Sequence, residues 1–143
     1  MRVIESHSPL SGLIIENLKF ESKKKIEQFD AMWSSSLTDS SIKGKPDNQS
    51  LDFSSRFSGL GDLMDVTTKP LIFDADNGGR LEHIPFTVRT LERLGVSAIM
   101  MEDKIGLKKN SLFSDQSGAT QDSIQNFCKK IELIKKTRNS KDF

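Results

Sequence analysis

Two acidic clusters, each at the end of a short apolar run, could together hold a divalent cation. The first is Asp74-Ala75-Asp76, after the apolar run 71–73, and the second begins with Glu102, after the run 98–101. Side chains alternate along a strand, so Asp74 and Asp76 are expected on one face. Glu102, on a neighbouring strand about 4.8 Å away, would reach the same point. Three carboxylates with room for water suit Mg²⁺, and the sequence therefore predicts a magnesium site.

Such a site needs parallel strands to position it, and the chain alternates strand and helix signals. The predicted strands cover residues 2–5, 29–33, 71–74 and 98–102. The predicted helices cover residues 9–17, 51–66 and 81–94, and a last helix begins near Thr120 as its N-cap. Gly95 is a natural residue to end the third helix. Residues 19–27 are expected to form an insertion or an irregular connection, and residues 104–119 a loop of a length that is usually a functional lid or disordered.

The alternation predicts an α/β fold in which parallel (β/α) units form the first half of a TIM-type (β/α)₈ barrel. A complete barrel typically needs about 250 residues, whereas this chain has 143. We therefore expect residues 1–143 to form a single partial domain. Its first and fourth strands would each lack a neighbour on one side, which predicts association into a homo-oligomer or with a complementing barrel half.

The composition excludes several classes of function. Hydrophobic residues make up 35% and charged residues 29% of the chain, and the net charge is +1. A protein that binds nucleic acid usually has a clear basic excess, so nucleic acid is not expected as a partner. No apolar run approaches the roughly 18 residues of a membrane span, and no membrane partner is expected. One cysteine, Cys128, cannot form an intrachain disulfide, which favours a cytoplasmic location.

A run of hydroxyl residues follows the second predicted strand. Trp33 is succeeded by Ser34, Ser35 and Ser36. A strand-to-loop turn of this kind can offer backbone N–H groups and hydroxyls to an anion such as a carboxylate. The residues alone are equally compatible with a serine-rich turn that caps the sheet, with Trp33 as a core aromatic.

The order of these motifs resembles the phosphoenolpyruvate mutase branch of the isocitrate lyase/phosphoenolpyruvate mutase superfamily. The similarity runs over essentially the whole chain but only over the amino-terminal half of the family's barrel. It is carried by five clusters, which are Trp33-Ser34-Ser35-Ser36-Leu37, Gly44-Lys45-Pro46-Asp47, Asp74-Ala75-Asp76-Asn77-Gly78-Gly79, Glu102-Asp103-Lys104 and Lys108-Lys109-Asn110-Ser111. The resemblance implies an enzyme that interconverts phosphoenolpyruvate and phosphonopyruvate, moving a phosphoryl group between oxygen and carbon with Mg²⁺ as cofactor.

The resemblance also implies a role for each matched residue. The implied catalytic residues are Asp47, Lys108 and Asn110. The implied substrate-binding residues are Trp33, Ser35, Ser36, Leu37 and Ser111. The implied Mg²⁺ ligands, acting mainly through water, are Asp74, Asp76 and Glu102. Lys108, Asn110 and Ser111 would lie on a gating loop that excludes water from the transferring phosphoryl group.

The residues of the same loop distinguish the other activities of the superfamily. The carbon–carbon bond lyases carry a reactive cysteine there, whereas Cys128 of this chain is expected to be a buried residue of the last helix. A phosphonopyruvate hydrolase remains an alternative, and so does a non-catalytic half-barrel that assembles with a partner. The family also grips its substrate with an arginine and a histidine from later strands, so the 143-residue chain alone is expected to be inactive.

Overall fold

A four-stranded parallel sheet carries helices on one of its faces. The computed structural model describes residues 1–23, 25–106, 108–109 and 120–143. In chain order the elements are β1 (Val3–Glu5), α1 (Pro9–Asn17), β2 (Phe20–Ser22), β3 (Lys25–Glu27), β4 (Ala31–Ser34), α2 (Ser36–Ile42), α3 (Phe53–Met64), β5 (Leu71–Asp74), α4 (Ile84–Arg93), β6 (Ala98–Met100), β7 (Lys104–Ile105), β8 (Thr120–Gln121) and α5 (Ile124–Thr137). The strand order is β1-β4-β5-β6, with every neighbouring pair parallel. The predicted α/β fold of parallel units is confirmed.

Local sequence signals fix the ends of the helices. Asp52 caps α3, because its side chain accepts a hydrogen bond from the Ser55 N–H at 3.0 Å. Gly95 ends α4 as predicted, with a φ of +83° that favours glycine. Its N–H donates to the carbonyl of Glu92 at 3.0 Å. Among the described residues, no helix is long and apolar enough to cross a membrane.

The hydrophobic core lies between the sheet and the helices. Met32, Leu71 and Phe73 are completely shielded from solvent. They pack against apolar side chains of three helices, which are Ile15 of α1, Leu60 and Leu63 of α3, and Leu91 of α4. Because side chains alternate along a strand, Trp33 and Asp74 project from the opposite face of the sheet. The face of the sheet that the helices do not cover therefore carries the polar side chains at the strand ends.

The uncovered face is partly apolar and partly polar. Val3 is 38% exposed and Met100 is 48% exposed. The parallel register places Glu5 beside Trp33 on this face. The Glu5 Oε1 and Trp33 Nε1 atoms are both shielded from water, and neither has a hydrogen-bond partner within the described part of the chain. Two polar groups on neighbouring strands thus face the same side without a partner.

The structure differs from the sequence predictions at three places along the chain. Residues 19–27 were expected to form an insertion or an irregular connection, and the structure has an antiparallel hairpin of β2 and β3 there. The last helix begins after Ser123 rather than near Thr120, because the Ser123 side chain accepts a hydrogen bond from the Asn126 N–H at 3.1 Å. Thr120 instead pairs with Ile105 in the β7–β8 ladder. The first two residues of the predicted 104–119 loop therefore belong to β7, and most of the remaining loop lies outside the described residues.

The predicted burial of Cys128 was also wrong. Cys128 is exposed, and no residue of α5 reaches full burial among the side chains described. The reason is that α5 packs chiefly against α4, so only a narrow stripe that includes Phe127 and Ile134 is partly covered. Cys128 lies next to that stripe and faces solvent.

The Glu16 carboxylate ties α1 to the turn before β5 and generates a prediction about acid stability. Hydrogen bonds from the Thr67 hydroxyl at 2.7 Å and the Thr68 hydroxyl at 2.6 Å lower the pKa of Glu16 from 4.5 to about 2. A lowered pKa gives stability that is present above the unfolded value and is lost as the pH falls through the folded value. We expect Glu16→Gln to reduce the free energy of unfolding by about 1 kcal/mol at pH 7. The difference in the free energy of unfolding between the unmodified chain and the variant should disappear as the pH falls from about 5 to about 2.

Urea denaturation at a series of pH values measures this difference. The exposed Glu132 of α5 provides the control, since Glu132→Gln makes the same chemical change away from the turn. A difference for Glu16→Gln that stays constant from pH 7 to pH 2 would contradict the assignment.

Candidate functional site

A cavity of about 350 Å³ lies at the carboxyl ends of β4, β5 and β6. Barrel and open α/β proteins place their chemistry at this edge. Eight of the predicted site residues line the cavity, namely Trp33, Ser35, Ser36, Leu37, Asp47, Asp74, Glu102 and Lys108. Asp76 is in contact with Lys108, whereas Asn110 and Ser111 lie outside the described residues. The fold thus brings together nine residues that are far apart in the sequence.

Asp74 joins the end of β5 to the start of α2. Its Oδ2 atom accepts hydrogen bonds from the Ser36 hydroxyl at 3.0 Å and from the Ser36 N–H at 3.2 Å. Its Oδ1 atom accepts the Asp76 N–H at 3.0 Å. The backbone of Asp76 has a φ of +50°, a left-handed conformation that aspartate tolerates better than most residues. These bonds hold the turn after β5 in place and aim the Asp76 side chain.

Lys108 forms a buried ionic cluster with two of the predicted acidic residues. Its Nζ atom donates to Asp47 Oδ1 at 2.9 Å and to the Ser36 hydroxyl at 2.9 Å, and it also contacts Asp76 Oδ1. The side chains of Lys108, Asp47 and Asp76 are only 5%, 3% and 3% exposed. Burial lowers the pKa of Lys108, but the hydrogen bonds and charges of Asp47 and Asp76 outweigh it, so the pKa lies above its usual value.

Arg56 is a second buried cation, and the sequence analysis did not identify it. Its side chain is 1% exposed. The Nε atom donates to Asp39 Oδ2 at 2.8 Å, and Nη1 donates to the main-chain carbonyl of Asp74 at 2.6 Å. Nη1 also lies 3.6 Å from Asp76 Oδ2. The guanidinium stacks over the Phe73 ring at 4.1 Å from its centroid, a cation–π contact.

The sequence contains a pattern that indicates the burial of Arg56. Phe53, Phe57 and Leu60 follow the helical spacing of the core-facing stripe of α3, and Arg56 lies within that stripe. A charged residue at a core-facing position has to be paired. Its partner Asp39, whose Oδ2 also accepts the Ser34 hydroxyl at 2.9 Å, occupies the unpredicted helix α2.

The three predicted metal ligands lie near one another, yet they do not form a ready-made cluster. The Glu102 N–H donates to the Asp76 carbonyl at 2.7 Å, but the Glu102 carboxylate lies 3.2 Å from the Lys104 ammonium. Across the ranges that the structure describes, no group of three or more His, Cys, Asp or Glu side chains could hold a metal ion directly. The Glu102 atom in the ion pair with Lys104 is Oε2, which is shielded from water and makes no hydrogen bond of regular geometry within the described residues. The three carboxylates are nevertheless hard oxygen donors, which fit a cation that keeps several of its waters.

Comparison with known proteins identifies relatives by sequence and by structure. A sequence profile of the phosphoenolpyruvate phosphomutase family matches residues 1–143. The phosphoenolpyruvate phosphomutase of Tetrahymena pyriformis is 29% identical over 142 residues, covering 99% of this chain and 44% of that protein. A phosphoenolpyruvate phosphomutase from Streptomyces platensis subsp. rosaceus has a TM-score of 0.85 at 28% identity, covering 100% of this chain and 46% of that chain. A phosphonopyruvate hydrolase in complex with oxalate and Mg²⁺ has a TM-score of 0.78 at 26% identity. This match covers 100% of this chain and 45% of that chain.

The parallel β/α units form part of an α/β barrel, similar to solved structures of a phosphoenolpyruvate phosphomutase and a phosphonopyruvate hydrolase. The chain belongs to the phosphoenolpyruvate phosphomutase family. It spans less than half the length of the relatives it matches. The resemblance drawn from the sequence motifs is confirmed.

The burial of Arg56 generates a prediction about stability. Replacing Arg56→Met removes one partner of a buried ion pair and leaves the carboxylate of Asp39 without its cation. We expect the free energy of unfolding to fall by about 3 kcal/mol. Chemical denaturation measures the loss. The exposed Arg93 near the end of α4 is the control, and Arg93→Met should cost less than about 0.5 kcal/mol. Similar losses for the two variants would show that the Arg56 contacts contribute little.

Proposed function

We propose that this chain supplies part of an active site that interconverts phosphoenolpyruvate and phosphonopyruvate. The supporting observation is the single cavity that gathers eight predicted residues from five separate stretches of sequence. Residues 1–143 would form a partial domain that works together with a complementing barrel half. The arginine and histidine implied by the family resemblance would come from that second half.

The arrangement suits the transfer of a phosphoryl group. A metaphosphate-like transition state needs neutralised charge and fixed positions more than covalent help from the protein. Lys108 supplies a buried positive charge next to Asp47, and Asp47 would lie against the transferring group. The shielded Trp33 Nε1, which has no acceptor among the described residues, would donate to the carboxylate of the substrate. Asn110 and Ser111 would complete the contacts to the phosphoryl group.

A Mg²⁺ ion is the proposed cofactor. Asp74, Asp76 and Glu102 would hold it mainly through water, in keeping with their hard oxygen donors. When bound, the ion would neutralise negative charge on the substrate oxygens. Asp74 is already fixed by Ser36 and by the Asp76 N–H, so it would receive the hydrated ion without rearranging.

Hydrolysis of phosphonopyruvate is the second candidate. It would use the same pocket and metal, with water in place of the enolate oxygen as the acceptor of the phosphoryl group. A phosphonopyruvate hydrolase is among the structural neighbours, although its TM-score of 0.78 is below the 0.85 of the mutase neighbour. Asn110, which matches the residue that contacts the phosphoryl group in the mutases, also favours the mutase.

The metal assignment can be tested by binding experiments that do not need turnover. We expect the chain to bind Mn²⁺ with a dissociation constant of about 1 mM, because a site with few protein ligands relies on substrate oxygens for tight binding. Oxalate should bind only when Mg²⁺ or Mn²⁺ is present. The double variant Asp74→Asn/Asp76→Asn should lose both ligands in titration calorimetry.

The double variant Asp62→Asn/Asp65→Asn is the matched control, because it removes two charges from exposed positions around the end of α3. It should bind Mn²⁺ and oxalate as the unmodified chain does. Equal Mn²⁺ binding by the Asp74→Asn/Asp76→Asn variant would refute the metal assignment.

The activity can be tested by combining this chain with the carboxyl-terminal half of a related mutase. Phosphorus NMR should show phosphonopyruvate converting to phosphoenolpyruvate, at a rate at least about 1,000-fold above that of the chain alone, because two buried charge contacts are restored. Asp47→Ala should abolish the conversion, while the exposed Asp65→Ala should not. Release of inorganic phosphate as the main product would favour the hydrolase. Mutase turnover that survives Asp47→Ala would contradict the proposed site.

A further inference from the structure

Both carboxylate oxygens of Asp76 face a cation of the protein itself. Oδ1 is in contact with the Lys108 ammonium, and Oδ2 lies 3.6 Å from Nη1 of Arg56. Asp76 is also one of the three proposed metal ligands, and its side chain is only 3% exposed. A divalent cation that approaches this carboxylate therefore meets a resident positive charge on either side.

The two resident cations differ in how firmly they are held. Arg56 is fixed by Asp39, by the main-chain carbonyl of Asp74 and by the Phe73 ring. Within the described residues, the Lys108 side chain is held through its Nζ atom, at the end of a flexible stem of four methylene groups. Two of its oxygen partners, on Ser36 and Asp47, line the cavity. Release of Lys108 would break contacts with these polar groups and with Asp76, whereas release of Arg56 would also break a contact with the core ring of Phe73.

Electrostatic repulsion opposes the binding of the Lys108 ammonium and a divalent cation to the Asp76 carboxylate at the same time. Like charges a few ångströms apart repel strongly where water is excluded, and an oxygen that accepts an ammonium hydrogen bond has fewer lone pairs for a hydrated ion. We propose that the Lys108 ammonium and the divalent cation compete for the Asp76 carboxylate, so that metal binding displaces Lys108 and frees it to meet an anionic substrate. This inference rests on the metal assignment of the proposed function and adds a coupling between the metal and a catalytic lysine.

Direct metal titration tests the competition. Mn²⁺ binding is measured by electron paramagnetic resonance for the unmodified chain, for Lys108→Met and for Lys109→Met. The Lys109 variant is the matched control, because it makes the same change of charge one residue away. Lys108→Met should bind Mn²⁺ at least tenfold more tightly than the unmodified chain, and Lys109→Met should stay within about twofold.

The outcomes separate this inference from the metal assignment. Equal or weaker Mn²⁺ binding by Lys108→Met, while the unmodified chain binds, would overturn the competition and leave the metal site intact. The absence of Mn²⁺ binding in all three proteins would overturn both.

A second measurement uses the unmodified chain and does not depend on the folding of a variant. Lysine acetylation by acetic anhydride is followed residue by residue with mass spectrometry, with and without Mg²⁺ at saturation. Lys108 should react at least fivefold faster with Mg²⁺, because it leaves its buried position, while the exposed Lys141 should be unaffected. A Lys108 rate that is unchanged or lowered by Mg²⁺ would overturn the inference.

Discussion

A guanidinium that is removed from water needs acceptors, and much of this site is arranged around those that Arg56 obtains. Its Nη2 atom is also shielded and has no hydrogen-bond partner among the described residues. Burial of an unpaired charge would cost more than a small domain can offset. Arg56 obtains its acceptors from the ends of two elements, the Asp39 side chain on α2 and the Asp74 carbonyl at the end of β5. The Phe73 ring beneath it contributes a cation–π contact from the core side. The same residue thus joins the apolar core to the polar edge of the sheet.

This constraint accounts for features that would otherwise be unrelated. The short helix α2 carries three serines in its seven residues, and serine is a modest helix former. Its position is fixed instead by tertiary hydrogen bonds, from Ser36 to Asp74 and from Arg56 to Asp39. The left-handed backbone at Asp76 is likewise held by the Asp74 side chain. Local propensity contributes little here, and the buried charges contribute much.

The sequence was informative where a single local signal decides the structure. Helix α1 has the predicted limits because serine and proline precede and open it, and Gly95 ends α4 through its positive φ. The acidic residues at the ends of β5 and β6 could be placed together because parallel strands present their carboxyl ends at one edge.

Prediction failed where the outcome depends on contacts between distant segments. Arg56 was missed because its charge is compensated by Asp39 and by a carbonyl of another element, neither of which is visible in a helical spacing. The burial of Lys108 was missed for the same reason, since its partners lie 32 to 72 residues away. Cys128 was misplaced because an amphipathic pattern shows which side of a helix is apolar but not how completely a neighbour covers it.

The unpaired Glu5 Oε1 and Trp33 Nε1 atoms on the uncovered face restrict which groups can cover it favourably. Glu5 Oε1 needs a donor and Trp33 Nε1 needs an acceptor, and the described residues supply neither. A buried polar atom without a partner costs about 1–3 kcal/mol. A purely apolar surface that covered this face would leave both atoms unpaired, and its binding would be weakened by this cost for each atom. A surface that covers β1 therefore has to offer a donor to Glu5, whereas the Trp33 N–H can be paired by the carboxylate of the proposed substrate in the cavity.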